Sequence, residues 1–576
     1  MTTSTDTPTE TAAEPPAQSA DPSASQSPDQ VAAGAAQPSD PESAAPVAEQ
    51  TGVRAEAWSE EWGFFGRPLF NDPDARALER VGVVDVGSNS VRLVIFDGAA
   101  RSPAYFYNEK IMCALGAGLS ETGHLNPEGR ARALAALKRF QVLARGLLPE
   151  PLTVVATAAV RDASDGAEFC AEVEAATGLR IRIITGEEEA RLSAQGVLLG
   201  WPGAHGLICD IGGSSMELAE IQGGEVGKRV TSNLGPLKLK DIKGGRAGRK
   251  KHIDEVMLQL RAQLGDQRDR LFLVGGSWRA IARIDMQRRK YPLLVQHEYR
   301  MTAADVRETA KFIEKCDLEK LRADCGISSA RMSLVPYAID VLSRLVKTFR
   351  PKDIAISSYG IREGLLYEQM PEKLRERDPL IEAARFAEAK DARVPGFGKT
   401  LYAFVKPLFA GAPYAKMRLV KAAALLHDVS WRAHPDYRGE VCFDNATRAN
   451  LGGLKHSERI FLGLALLHRY RNKRQGTHFE HLYDLLPPEK QKEAEILGKA
   501  IRFGAMLMVG EGQEIGHLRW QPRKRLLHVE LPAESADLFG EVAQSRLMSL
   551  VNTLNAEVRV TVEGKRGDLL AADFDS

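Results

Sequence analysis

The chain's 576 residues, 44% hydrophobic and 27% charged, are enough for several packed domains of ordinary water-soluble composition. Its formal net charge is +1 and no apolar run approaches the length of a membrane span, so it reads neither as a membrane protein nor as a strongly basic coat for nucleic acid. Six cysteines without any C-x-x-C spacing read as reduced thiols of a cytoplasmic protein.

Residues 1–55 are built from Ala, Pro, Ser, Thr, Gln and acids, with too little large apolar surface to offset chain entropy, and are expected to form a disordered acidic tail. The tail lacks the basic and apolar regions of a signal peptide. Up to Thr51 it holds eight acids and no Lys or Arg, so taking its −8 from the total of +1 leaves a body near +9, mildly basic as a polyanion binder should be. Trp58–Phe70 mixes aromatics with Gly66 and Pro68 and is expected to pack on the domain that follows.

The apolar run Val81–Val84 predicts a buried strand. The chain then turns through Asp85, Gly87, Ser88, Asn89 and Ser90 into a second strand, Val91–Phe96. Such a turn presents several backbone N–H groups on one side, suited to phosphate oxygens, although an ordinary hairpin has the same pattern. A helix over 129–148, a strand from Val154 ending at small residues and Arg161, a helix over 167–177, a strand over 180–185 and a helix over 190–199 predict an α/β lobe. Leu207–Ile211, the turn Gly212, Gly213, Ser214, Ser215, and the strand Met216–Ile221 then repeat the first hairpin. A third glycine turn, Gly275–Gly276–Ser277, follows the strand Leu271–Val274.

Further along, Leu234–His252 gathers seven cations among glycines, suited to a flexible polyphosphate, to nucleic acid, or only to solvent. No nucleic-acid-binding motif accompanies it, and nucleic acid is not the expected partner. A helix over 331–346 and a strand over 353–358 precede a helical region containing His427, Asp428, His456 and His468. His468–Arg474 and Arg519–Arg525 are further basic stretches, the first expected to line a substrate groove. The end of the chain reads strand, helix, strand.

Two matching Asp–Gly turns more than a hundred residues apart, followed by a Gly–Gly turn, resemble the actin, sugar-kinase and heat-shock-chaperone ATPase superfamily, in which two similar lobes clamp a phosphate chain. With VVATAAVRDA (154–163), IITGEEEARL (183–192) and SSYGIREGLLY (357–367), the stretch from Val81 to Tyr367 resembles the exopolyphosphatase / guanosine pentaphosphate phosphohydrolase family, and more loosely the helical region beyond. The family's DIGGGSTE reads DIGGSSME here, with Ser214 for the third glycine, Met216 for threonine and Glu217 kept; a hydroxyl contact from position 216 is expected to be lost.

The resemblance implies an α/β fold of two actin/ribonuclease-H-like lobes, at 78–203 and 204–370, followed by an α-helical HD-like domain at 378–512 and a small C-terminal α/β segment at 513–576. It implies an exopolyphosphatase releasing terminal orthophosphate from inorganic polyphosphate by Mg²⁺-assisted water attack. The alternatives are a guanosine pentaphosphate 5′-phosphohydrolase, or both activities, and then a non-catalytic nucleotide-binding scaffold. Such hydrolysis needs an in-line water, neutralised phosphoryl oxygens and a metal at the leaving group. The family's general base falls on Glu188, although Glu187, Glu188 and Glu189 also suit a helix's first turn. Asp85, Asp210 and Glu217 are the candidate metal residues; Asp85 and Asp210 serve equally well as caps of their own turns. Arg92 and Arg161 are candidates for phosphate oxygens, with surface ion pairs as their plain alternative. An active HD site needs a first histidine, and none lies between Tyr299 and Leu426, so that domain is expected to serve a homodimer or the substrate groove.

Overall fold

The run VGVVDV becomes β1 (Val81–Val86) in the computed structural model, which describes residues 80–570 apart from 99–100, 102, 149–150, 268, 450, 509, 511–512 and 566. The expected tail and the Trp58–Phe70 segment lie outside the described residues. β1 pairs antiparallel with β2 (Ser90–Phe96), and β2 with β3 (Tyr105–Met112). Helix α1 (Pro127–Leu147) starts where Asn126 accepts from the Gly129 amide and Pro127 presets the first turn. It crosses to β4 (Thr153–Ala156), parallel to β1, and α2 (Gly166–Thr177) leads on to β5 (Ile181–Ile183), giving the order β3-β2-β1-β4-β5. The strand expected to run up to Arg161 stops at Ala156. The alanine-rich Ala158–Asp162 turns into a short helix instead, as its helix propensity favours.

Helix α3 (Gly186–Gly200) leads into β6 (Gly206–Ile211), β7 (Met216–Gln222) and β8 (Glu225–Ser232), an antiparallel meander like the first. Then come α4 (Gly245–Leu264), β9 (Arg270–Val274), α5 (Gly276–Arg288), β10 (Arg300–Met301), α6 (Ala303–Lys315), α7 (Val335–Phe349) and β11 (Asp353–Ile356). Their sheet has the order β10-β11-β9-β6-β7-β8, with β9 parallel to both β6 and β11. Outward from β1 and from β6 the pattern is the same: two antiparallel neighbours on one side, parallel strands on the other. The actin/ribonuclease-H-like lobe is present twice.

Helix α3 is common to both lobes. Leu192 and Leu199 pack with Val83, Val94 and Phe96 of the first sheet, while Ala190, Ala194 and Val197 pack with Ile208, Ala219 and Phe272 of the second. Helix α8 (Ile361–Gln369) crosses it at backbone contact: a Cβ on Gly364 would lie 1.9 Å from the Leu192 carbonyl, and one on Gly196 2.2 Å from the Gly360 carbonyl. A boundary at 203/204 therefore severs the second lobe from a helix it packs on.

Helices α9 (Pro379–Asp391), α10 (Phe397–Val405), α11 (Tyr414–Leu426), α12 (Arg438–Arg448), α13 (His456–Tyr470) and α14 (Pro488–Gly504) follow, then β12 (His517–Gln521), β13 (Leu526–Leu531), α15 (Glu541–Leu554) and β14 (Glu557–Val562). One apolar core holds Phe404, Leu464 and Leu497 of the helices together with Leu527, Leu547 and Val560 of the terminal elements, so residues 513–570 add to the helical domain's core. The basic stretch Arg519–Arg525 is a hairpin between β12 and β13, whose weak alternation hid the first strand. His427 and Asp428 have structural partners: His427 Nδ1 donates to the Ala424 carbonyl at 2.8 Å, and Asp428 accepts a two-pronged pair from Arg393 at 2.6 and 2.8 Å. His468, expected to line a groove, is buried, because its helix packs that face against α14.

The helical domain meets the lobes at a ring of aromatics. His456 donates through Nε2 to the His297 carbonyl at 3.0 Å and accepts from the Tyr291 hydroxyl at 2.8 Å, while the His297 ring lies 4.3 Å from Trp201 and 4.7 Å from Tyr359. Among the described residues no helix is long and apolar enough to cross a membrane, and all six cysteines are free.

Candidate active site

The two Asp–Gly turns close alike: the Gly87 amide donates to the Ser90 carbonyl at 3.1 Å, and the Gly212 amide to the Ser215 carbonyl at 3.1 Å. They stand at corresponding ends of β1 and β6 and face each other across a cavity of about 270 Å³. Asp85, Gly87, Ser88, Asn89, Ser90, Arg92, Asp210, Gly212, Gly213 and Ser215 line it, joined by the Gly275–Gly276 turn and by Glu189. The turns touch: a Cβ on Gly213 would lie 3.6 Å from that of Ser88, so a side chain there would narrow the gap between the hairpins.

Five cations border the same cavity: Arg92, Lys110, Arg279, Arg331 and Arg362. Arg92 donates to Asn108 at 2.8 Å and Arg362 pairs with Asp85 at 3.3 Å. The side chains of Lys110, Arg279 and Arg331 have no hydrogen-bond or ion-pair partner among the described residues. Burial, and then Arg362 and Arg331, press Arg279 down to about 10. Burial lowers Lys110 too, with Arg331 and Arg92 adding to it. Three cations without a direct partner at one cavity are a place for an anion.

The acids divide by depth. Asp85 is raised by burial against the pull of Arg362, and Asp210 by burial against the hydrogen bond from Ser193 Oγ. Glu189, 5% exposed, has its carboxyl raised well above the usual range by burial and by Glu217 and Asp210, with Arg161 opposing.

Four residues expected at the site stand elsewhere. Glu188 lies outside the cavity lining, in ion pairs at 3.6 Å with Arg182 and Arg191. Thr185 caps α3, and the next helical turn carries Glu189 inward, in line with the buried Ser193, Gly196 and Gly200. Those small residues four, seven and eleven places on were the signal in the sequence that Glu189 occupies the packed face. Glu217 is 1% exposed and sits behind its turn, taking a hydrogen bond from Thr231 at 3.1 Å; burial and Asp210 push it up to about 8, and its Oε2 has no partner. Arg161 donates to the Ile184 carbonyl at 3.0 Å and reaches Glu189 at 3.4 Å, so it holds a carboxylate and does not line the cavity. Ser214 faces a second cavity of about 380 Å³ behind the turns, with Lys238 and Lys240. Met216 is fully buried in the second lobe's core, so position 216 offers no contact to the cleft.

Sequence reasoning missed Lys110, Arg279 and Arg331, which come to the cavity from distant elements without any local motif; Arg362 lay in the SSYGIREG stretch. The basic run 234–252 is neutralised in part: Arg249 pairs with Asp340 at 3.0 Å, Arg246 with Glu314, and Lys238 with Asp162 at 3.4 Å. A larger cavity of about 860 Å³ at the opposite ends of β6, β9 and β11 holds ion pairs such as Arg270 with Asp353 at 2.9 Å and Arg418 with Asp378 at 2.7 Å. Its lining carries more acids than Lys and Arg, so it has no excess positive charge to hold a phosphate chain.

Among the described residues no group of three or more His, Cys, Asp or Glu stands close enough to hold a metal alone. Mg²⁺ is commonly held by one or two carboxylates completed by substrate oxygens and water. Asp85 and Asp210, hard oxygen donors on the wall, fit that mode, whereas Glu217 does not line the cavity.

The family model described as the Ppx/GppA phosphatase family matches residues 94–373, and the one described as exopolyphosphatase, C-terminal, matches residues 390–560. Among solved structures the chain is similar to the Aquifex aeolicus member of the Ppx/GppA family, at 23% identity over 50% of this chain and 97% of that one, with a TM-score of 0.45. It is also similar to an exopolyphosphatase from Cytophaga hutchinsonii, at 25% identity over 52% of this chain and 99% of that one, with a TM-score of 0.47.

Proposed function

The chain belongs to the Ppx/GppA phosphatase family, and from that membership we propose that it releases terminal orthophosphate from inorganic polyphosphate. The observation that carries this reading is the cavity itself: two facing glycine turns, five cations of which three have no direct partner, and one buried glutamate between them. A phosphate chain repeats its charge at each unit, and a cleft bordered by five cations suits several such units at once.

In this reading the amides of the Gly87–Ser90 and Gly212–Ser215 turns bind the terminal phosphoryl group. Arg279, Arg331, Lys110, Arg92 and Arg362 bind the oxygens behind it. Mg²⁺ held by Asp85 and Asp210 with substrate oxygens would neutralise charge at the leaving phosphate. Glu189 takes the proton of the attacking water; burial and the neighbouring carboxylates raise its affinity for protons, as a general base requires. Arg161 orients Glu189 from behind.

The test is phosphate release by the full chain with Mg²⁺, from long polyphosphate and from guanosine pentaphosphate, with Glu189→Gln alongside. Release from polyphosphate that Glu189→Gln abolishes supports the reading and the base together. Release from the nucleotide alone moves the substrate to guanosine pentaphosphate. Release from neither overturns the hydrolase.

A further inference from the structure

Helix α3 brings a second polar side chain to the wall of the cleft besides Glu189. Ser193, one turn further on, is 0% exposed, and its Oγ donates to Asp210 Oδ2 near the end of β6. A serine inside a helix often returns its hydroxyl to the carbonyl one turn back. Among the described residues Ser193 Oγ makes only the bond to Asp210, and burial leaves it no water as an alternative.

That bond divides the two oxygens of Asp210. Oδ2 is committed to the helix, while Oδ1 has no hydrogen-bond or ion-pair partner among the described residues, and Asp210 lines the cavity. A Cβ on Gly275 would lie 3.1 Å from Oδ1, so the glycine of the third turn keeps that oxygen's flank clear. Asp85, at the equivalent place in the first hairpin, is divided in the same way. Arg362 holds its Oδ2 at 3.3 Å, and its Oδ1 has no partner among the described residues. A serine and an arginine thus leave each of the facing aspartates with one oxygen to offer. How many oxygens a carboxylate can offer bears on which cation it suits. Ca²⁺ takes about six to eight oxygen ligands in a flexible set and accepts two from one carboxylate, whereas Mg²⁺ demands a near-ideal octahedron.

We propose that Ser193 is a positioning residue that holds Asp210 as a one-oxygen ligand, and that this hold makes the cleft favour Mg²⁺ over Ca²⁺. The proposal rests on the reading of Asp210 as a residue of the Mg²⁺ site. Without the Ser193 hydroxyl, both oxygens of Asp210 are open to one cation and the carboxylate is free to turn. A two-oxygen grip suits Ca²⁺ and spoils the octahedron that Mg²⁺ requires.

The experiment titrates the full chain, without substrate, with MgCl₂ and with CaCl₂ at constant ionic strength and follows the thermal unfolding midpoint. Ser193→Ala, Ser193→Thr and Asp210→Asn are measured in the same way. The reading is the ratio of the Mg²⁺ and Ca²⁺ concentrations that give half of the midpoint gain. Ser193→Ala should shift that ratio toward Ca²⁺ by about tenfold, the lower end of what losing a partner of a metal ligand costs. Ser193→Thr, which keeps the hydroxyl, should stay near the unsubstituted chain. A serine that only packs would lower the midpoint of Ser193→Ala at every metal concentration and leave the ratio where it was. That result, with Asp210→Asn still losing its response to Mg²⁺, would overturn the role of Ser193 alone. An Asp210→Asn chain that answers Mg²⁺ as the unsubstituted chain does would overturn the metal reading, and the proposal with it.

Discussion

Glu188 and Glu189 are neighbours in sequence and a third of a helical turn apart in space. Glu188 exchanges ion pairs with two half-exposed arginines; Glu189 stands on the cavity wall between two carboxylates and an arginine. Glu189→Gln should lower phosphate release by about 10²–10⁴-fold. Glu188→Gln, which costs only exposed pairs, should change it by no more than about fivefold in steady-state assays. Met216 gives a second contrast. Its side chain is packed in the core, so Met216→Thr should cost about 2–4 kcal/mol in urea unfolding through lost packing and a buried hydroxyl, with no gain in turnover. An activity gain in Met216→Thr would show that the family's threonine contact reaches the cleft after all.

Among the elements, the crossing of α3 and α8 is the tightest joint. Gly364→Ala places a methyl carbon against the Leu192 carbonyl and should destabilise by about 3 kcal/mol. Gly146→Ala, near the end of α1 with open space around it, should stabilise by about 0.5–1 kcal/mol, and urea midpoints of both variants check the pair. The hairpins and their turns were legible in the sequence because strand, turn and strand are contiguous. The turn residues therefore carry their own geometry. Glu189 was legible only through the spacing of Ser193, Gly196 and Gly200. Arg279 and Arg331 were not legible, since their place depends on how α5 and the segment before α7 dock on a sheet whose order no local pattern states. The strand Thr153–Ala156 was read too long because Val, Ala and Thr suit strand and helix alike until packing decides.

For the whole molecule, the junction between lobes and helical domain depends on neutral imidazoles. His297 is held down to about 3 by burial and then by Arg459 and His456; His456 is held down to about 4 by burial, with its bond to the His297 carbonyl opposing. An unfolded imidazole takes its proton near 6.5, so between that pH and about 4 the unfolded chain binds protons that the folded chain refuses. The contribution of these two imidazoles to stability is then full above pH 6.5 and falls as the pH drops. His456 alone should account for roughly 3 kcal/mol of that loss. Urea midpoints from pH 8 to 4 should show the fall, and His456→Gln should flatten it. The helix that both lobes share has a different kind of consequence. If the chain were split after Pro202 and the halves expressed separately, the first would carry α3 with Ala190, Ala194 and Val197 bared, and the second would lack the helix that covers Ile208, Ala219 and Phe272. A cut at the apparent middle of the two lobes therefore bares an apolar face on each half.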